Sequence, residues 1–459
     1  MSLFGLLGTG RNGMVAAQGA TSVTSHNATN ASTPGYTRRA ARLEPVLGPP
    51  EPGAGSRMVG SRRVIDPFVE RRMLGALSAR GESSARAGAL SALDTIFADS
   101  SSDVGAALDS LRSAFGDLAS HPSDPTARES VLSRARGVVD AFGAASDQLA
   151  WAREDANTRV EGEVQEVNER LRRIGELGRD IAKAEVAGHE ASDLRDLRDQ
   201  LVREVSERVP VQVLDTADGG ISLTLDGAVS LVSADGEVSE LSTRRVGADV
   251  LVEVSSSGAR TDARPFLESG RIGGLLDARD GAIADARGAL DQLAADVANA
   301  YSDAHAAGFG LDGVGGRDFF TRPGAVDGAA RQLSLAAGLN ADTLAAASDA
   351  AELPGDNRGA LALAGVSDAL VADGGTRTLM DAYAGLVGRA GMAVSDAYLR
   401  QDAASAAVDQ VEALRESVSG VSVDEEMVDL VRFQRGYQAA LKVVQTADEM
   451  LGELMNLKR

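Results

Sequence analysis

From Val423 to Met455 the sequence returns to one helical face without a slip. Val423, Met427, Leu430, Gln434, Tyr437, Leu441, Val444, Asp448, Leu451 and Met455 alternate in steps of four and three, with Phe433 beside them. A repeat of that length reads as a coiled-coil seam. Ser422 with Glu425 three residues on reads as a capping box. Each apolar seam side chain gains about 1.5–3 kcal/mol only when something covers it, so this helix needs a partner. The other end of the chain offers one. Leu3, Leu7, Gly10, Met14 and Ala17 recur in the same steps, and Ser2 is the expected N-cap. Glycines cost this first helix about 1 kcal/mol each relative to alanine, so it is weak alone. The predicted packing is an antiparallel pair of terminal helices from which the body projects.

Thr33-Pro34-Gly35-Tyr36 ends the first helix. Proline presets φ at the second position and glycine supplies a positive φ at the third, which is the type II pattern. The chain from Arg38 to about Arg63 is broken by proline and glycine and reads as extended. Residues 66–150 read as helical, with stops near Ser100–Asp103 and at His121-Pro122-Ser123-Asp124-Pro125. A further helix is predicted from about Asp155 to Ala187, striped by Val160, Val164, Val167, Leu171, Ile174, Leu177 and Ile181. After Gly188, Ser192 is placed to cap a helix striped by Leu194, Leu197, Leu201 and Val205.

Residues 209–256 switch to period two, in VPVQVLD, ISLTLDG, VSLVS and VLVEVS, with turns at Asp218-Gly219-Gly220, Asp226-Gly227 and Asp235-Gly236. That is a small antiparallel sheet. Helices resume over about 275–305 and from Thr376 to about Ser417, separated by the glycine-rich GFGLDGVGGRDFF and by short helices and loops. The expected fold class is mainly α with a small antiparallel β insert. The expected division is an assembly unit of residues 1–45 with 418–459, a helical-bundle body of 46–207 with 266–417, and the β insert at 208–265.

With aromatics at 3%, the core must be built from Ala, Val and Leu, which lets helices approach closely. The net charge is −21. That opposes nucleic acid, which is bound by neutralising phosphates with Lys and Arg, and it opposes an anionic membrane surface. Residues 1–43 nevertheless carry Arg11, Arg38, Arg39 and Arg42 and no acid, whereas residues 421–459 carry more acids than bases. The two ends are therefore complementary. The absence of cysteine excludes disulfides and thiolate metal sites. No run is long enough for a membrane helix, and the start has no h-region of a secretory signal.

The motifs that suggest chemistry lack their context. Gly8-Thr9-Gly10-Arg11-Asn12-Gly13 fits G-x-G-x-x-G, but no strand precedes it and the first acid is Glu44. His189-Glu190-Ala191-Ser192-Asp193 lacks the second histidine of a zinc motif. Asp312 and Asp318 do not have EF-hand spacing. Asn27 and Asn30 begin glycosylation sequons, which read as accidental without a signal. No catalytic, cofactor or metal site is expected, and the chain is not expected to be an enzyme.

Two blocks resemble the flagellar rod, hook and hook-associated axial proteins. One is Phe4-Gly5-Leu6, Gly13-Met14, Ala17-Gln18 and SHNATNASTPGYTRR, in which Asn27, Asn30, Thr33, Pro34, Gly35 and Tyr36 match; His26 and Ala28 depart mildly. The other is VSVDEEMVDLVRFQRGYQAALKVVQTADEMLGELMN. LESGRIGGLLDARDGAI, GFGLDGVGGRDFF, GDNRGALALAGV, ASDLRDLRDQL and LASHPSDPTARESVL are similar to the hook-associated members in particular. Only about 50 residues follow DFF before the late helices resume, so the resemblance is to a trimmed member without a large outer β domain.

The resemblance implies a structural role at the distal end of the hook and export through the flagellar type III channel. It implies partners in further copies of the chain, the hook protein, a second hook–filament junction protein and an export chaperone at the C-terminal helix. The assembly interface it implies comprises Leu3, Leu7, Met14, Asn27, Asn30, Thr33, Pro34, Gly35, Tyr36, Val423, Met427, Leu430, Phe433, Gln434, Tyr437, Leu441, Val444, Leu451 and Met455. A hook or distal rod protein shares both terminal blocks and is the alternative, although it should be dominated by β structure. A scaffold-borne enzyme and a free coiled-coil adaptor are further alternatives, and the adaptor leaves the Thr-Pro-Gly-Tyr block unexplained.

Overall fold

A computed structural model describes residues 3–46, 54–98, 103–187, 190–216, 220–256 and 259–456. Ser2, Gly188, His189, Asp218 and Gly219, and most of the expected stop at 100–103, lie outside them. Helix α1 is Leu3–Thr29 and is followed by a hairpin of β1 (Arg39–Pro45) and β2 (Ser56–Arg63). The body holds α2 (Pro67–Ala98), α3 (Val104–Ser120), α4 (Pro125–Val186) and α5 (Ser192–Arg208). Strands β3 (Val211–Asp215), β4 (Ile221–Leu225) and β5 (Val229–Val232) form one antiparallel sheet. Strands β6 (Leu241–Val246), β7 (Asp249–Ser256) and β8 (Ala259–Asp262) form a second. Then come α6 (Gly270–Ala278), α7 (Ala284–Ala306), the short α8 (Ala329–Gln332) and α9 (Arg358–Gly365), α10 (Leu379–Ser419) and α11 (Val423–Asn456).

Local chemistry accounts for many of the boundaries. Asp103 caps α3 by accepting from the Ala106 N–H at 3.0 Å. Asp124 accepts from the Thr126 N–H at 2.9 Å, with Pro125 at the first helical position of α4. The predicted break near residue 150 is absent: α4 runs 62 residues, and its N-terminal half buries Val131, Ala135, Val138, Phe142, Ala145 and Leu149. That stretch is alanine-rich, so its stripe is faint in sequence although it continues the Val160–Ile181 line, all of which is buried. The segment expected to be merely extended after Arg38 pairs with itself as the β1–β2 hairpin, with a bulge at Arg42/Leu43.

The period-two region forms two sheets rather than one, and LSTRRV supplies a strand that its polar residues concealed. Asp226 and Gly227 both have positive φ, 46° and 72°, as a tight hairpin turn requires. Both sheets share one continuous core with α2–α4, α6, α7 and α10. Phe115, Tyr301, Phe319 and Phe320 meet at its centre with ring centroids 4.8–6.0 Å apart. Close helix packing occurs at α6. A Cβ on Gly274 would lie 2.1 Å from the Glu82 carbonyl oxygen of α2, so only glycine fits there.

Helix α5 departs most from expectation. Its buried residues are Ser192, Asp196, Arg198, Val202, Val205 and Ser206. Leu197 is exposed and Leu194 and Leu201 are half-buried. The helix lies against the arginines of the hairpin, so ion pairs rather than leucines determine its inward face.

Candidate assembly interface

Helices α1 and α11 pack along their lengths in antiparallel sense, since Gly10 meets Val444 and Asn27 meets Glu426. On α1 the line is Gly10, Gly13, Ala17, Ala20, Thr24 and Asn27, steps of three and four built from small residues. A Cβ on Gly10 would fall 2.5 Å from Val444 Cγ2, and one on Gly13 would fall 3.2 Å from Ala440 Cβ. The glycines that weaken α1 as a helix are the ones that let its backbone approach. They also dispose of the G-x-G-x-x-G reading, because Gly8–Gly13 lies inside a helix with Gly10 covered by α11. Leu3, Leu7 and Met14 are half-buried along the same helix.

On α11 the line toward α1 is Glu426, Leu430, Phe433, Ala440, Val444, Ala447 and Leu451, with Tyr437 exposed at its edge. It shares Leu430, Val444 and Leu451 with the apolar repeat read from sequence. Val423, Met427, Gln434, Leu441, Asp448 and Met455 instead lie exposed on the flank. The repeat therefore merges two adjacent lines. The glycines of α1 admit Ala440 and Val444 at closest approach, and Met427, Leu441 and Met455 are left outward. Val428, Val431 and Leu454 extend that outward apolar surface.

At the body-proximal end, one buried amide organises the junction. Asn27 donates from Nδ2 to the Arg39 carbonyl at 2.8 Å and to Glu426 Oε2 at 3.0 Å. Its Oδ1 accepts from the Arg39 N–H at 3.0 Å and from the Tyr36 hydroxyl at 2.8 Å. All four hydrogen-bonding positions of the amide are used. The same saturation, with Asn27 only 1% exposed, removes it as a glycosylation acceptor.

Glu426 is almost fully buried and takes Arg38 Nε at 2.7 Å, so its charge is paired as well as hydrogen-bonded. The Arg38 N–H reaches the Ser419 carbonyl at 3.1 Å, tying the turn to the end of α10. Ser422 caps α11 through the Glu425 N–H at 3.4 Å, while the Glu425 carboxylate faces Arg38 at 3.7 Å.

The Thr33–Tyr36 turn closes with the Tyr36 N–H on the Thr33 carbonyl at 3.2 Å and Gly35 at φ +80°, as its residues predict. Asn30 holds the turn's entrance, donating to the His26 carbonyl at 2.9 Å and accepting from the Thr33 hydroxyl at 3.2 Å. Pro34 is exposed, and Gly35 sits against Gln200 of α5. Burial pushes the Tyr36 hydroxyl up to about 12, only partly offset by Arg39, whose guanidinium lies 5.3 Å from the ring centroid. It is a fixed donor at every physiological pH. Arg39 then pairs with Asp193 and Asp196, and Arg63 with Asp196 and Asp199, fastening turn and hairpin to α5.

Sequence reasoning singled out Asn27 and Tyr36 but not Glu426, Arg38, Arg39, Arg63, Asp193 or Asp196. The only signal was the charge contrast between an acid-free start and an acidic end. Of the acids in the glycine-rich loop, Asp312 is held by Arg317 at 2.6 and 3.0 Å and Asp318 by Arg322 at 2.9 Å. No group of three His, Asp or Glu residues is arranged to hold a metal among the described residues, and no described helix is long and apolar enough to cross a membrane.

The family model of the flagellar hook-associated protein FlgK helical domain matches residues 90–320, half of the chain. The flagellar basal body rod FlgEFG protein C-terminal model matches residues 415–457. Flagellar hook-associated protein 1 of Bacillus subtilis is 27% identical over 501 positions, covering 99% of this chain and 98% of that protein. Its namesake in Salmonella typhimurium is also 27% identical, over 552 positions covering 99% and 100%. Those alignments are longer than the 459-residue chain, so both relatives carry residues that it lacks. The flagellar hook junction protein FlgK from Burkholderia pseudomallei has the same fold, with a TM-score of 0.69 at 17% identity over 76% of this chain and all of that one. The chain belongs to the flagellar hook-associated protein FlgK family.

Proposed function

We propose that this structural flagellar protein joins hook to filament, self-assembling at the distal end of the hook through its terminal helices. The assembly unit is residues 1–45 with 418–459, the spacer body is 46–207 with 266–417, and 208–265 is the β insert. In this reading the chain leaves the cell by the flagellar type III route. It meets the hook protein on one side and a second junction protein on the other, and an export chaperone holds α11 beforehand.

One observation carries the reading. Pairing with α1 covers one line of α11 and leaves a second apolar line open, with Val423 48%, Met427 51% and Met455 75% exposed. An apolar surface on the last helix of an acidic chain favours burial against neighbouring subunits. The hook or distal rod alternative is disfavoured by the helical body, in which α4 alone spans 62 residues.

Deleting the gene should leave hooks without filaments and flagellin lost to the medium; normal filaments in the deletion strain would refute the proposal. Met427→Glu should reproduce the defect while leaving the monomer folded, because that side chain faces solvent in the monomer.

A further inference from the structure

Helix α5 buries a guanidinium next to a leucine of its predicted stripe. The Arg198 side chain is 5% exposed, whereas Leu197 beside it is exposed. Among the described residues, Arg198 Nε and Nη1 have no hydrogen-bond acceptor. Its nearest carboxylate, Asp199, is 3.5 Å from Nη2 and is already engaged by Arg63. A buried charge with so little compensation is costly unless something supplies the missing partner. Burial pushes Arg198 below the ordinary guanidinium value, opposed by Asp199 and reinforced by Arg195 and Arg63.

Arg198 lines a cleft of about 460 Å³ between the end of β2, the first turns of α2, α5 and the β3–β4 pair. Six arginines and four carboxylates line it among the described residues, an excess of two positive charges in a chain whose net charge is −21. Three of those carboxylates are committed: Glu70 to Arg203 and Arg415, Asp199 to Arg63, and Glu190 to the Ser61 N–H and hydroxyl; Arg195 is in turn held by Glu185 outside the cleft lining. Leu74, Val202, Val213 and Ile221 supply apolar wall, which strengthens any charge interaction inside.

We propose that this cleft is an oxyanion site, in which a carboxylate or phosphate group supplies the acceptors that the Arg198 guanidinium lacks. A planar guanidinium on a buried helix face suits such groups. Two sources share that chemistry, a free phosphate ion and an acidic side chain of a second copy of this chain.

The test uses the full chain in sodium phosphate and in sodium chloride at matched ionic strength, following the thermal midpoint, with sedimentation velocity in parallel. Arg198→Met replaces the unpaired charge with an apolar side chain, so it should fold, with a midpoint in chloride at or above that of the wild type. A saturable rise with phosphate in the wild type, with apparent affinity at least tenfold weaker in R198M, supports the site with a free anion. No phosphate effect, but self-association that R198M abolishes, supports it with a carboxylate from a second copy. Should R198M not fold, Arg71→Gln at the solvent-facing rim serves in its place and should weaken either effect severalfold. The proposal is overturned if the phosphate response is non-saturable, if both variants retain it unchanged, or if neither phosphate nor self-association depends on these arginines.

Discussion

Replacing Asn27 by alanine removes an amide with all four hydrogen-bonding positions in use. The groups left behind are not equally harmed. The Tyr36 hydroxyl keeps His26 at 3.1 Å, and Glu426 keeps Arg38 at 2.7 Å. The Arg39 N–H and C=O lose their Asn27 partner outright. A buried polar group left unpaired costs about 1–3 kcal/mol, and Arg39 is half-buried and partly rewetted, so Asn27→Ala should cost roughly 2–4 kcal/mol. At 1.4 kcal/mol per decade, amide exchange in α1 and α11 should speed up roughly 30- to 700-fold, with α4 unchanged.

Asn27→Asp keeps the shape but places a carboxylate oxygen where Nδ2 donates, facing Glu426 Oε2 at 3.0 Å. Burial and that like charge raise the folded-state pKa of the new carboxylate above its unfolded value near 3.9. The variant should therefore be worse than alanine at neutral pH. Its penalty should shrink as pH falls through the raised folded pKa toward the unfolded one. Exchange in Asn27→Ala within threefold of wild type, or an Asn27→Asp variant as protected as Asn27→Ala at neutral pH, would refute this account of the junction.

Gly10→Ala should open the terminal pair despite a helix-propensity gain of about 1 kcal/mol, because its Cβ meets Val444 Cγ2; adding Val444→Ala should restore part of the lost exchange protection. His305 donates from Nδ1 to the Arg317 carbonyl at 2.7 Å and accepts the Ala345 N–H on Nε2 at 2.9 Å, so it is held neutral. Burial lowers its pKa in the folded state below the ordinary 6.5. Its stabilising contribution is therefore full above about pH 6.5 and is lost as pH falls toward the folded value. Denaturant midpoints between pH 8 and 5 should decline, and His305→Gln should flatten that decline.

How much was legible follows the range of the interactions. The type II turn, the helix stop at 121–125, the valine–leucine stripe of α4 and the period-two strands are set by residues a few positions apart, and each stands in the structure. The continuity of α4 through residue 150 was missed because its alanine-rich half contrasts weakly with its neighbours, and the β1–β2 hairpin was missed because arginines fill its strands.

The sequence by itself determined that both ends are amphipathic helices in need of cover, complementary in charge and separated by a helical body with a β insert. Which line of α11 meets α1 was decided only in three dimensions, because the glycines of α1 admit Ala440 and Val444 and turn Met427 and Leu441 outward. The junction at Asn27 was decided there too. Glu426 and Arg38 stand 388 residues apart in the chain, and one acid among Asp424, Glu425 and Glu426 becomes the buried partner only because the helix pair turns it inward. Periodicity identifies a face, but the shape of the partner decides which residues on it are covered.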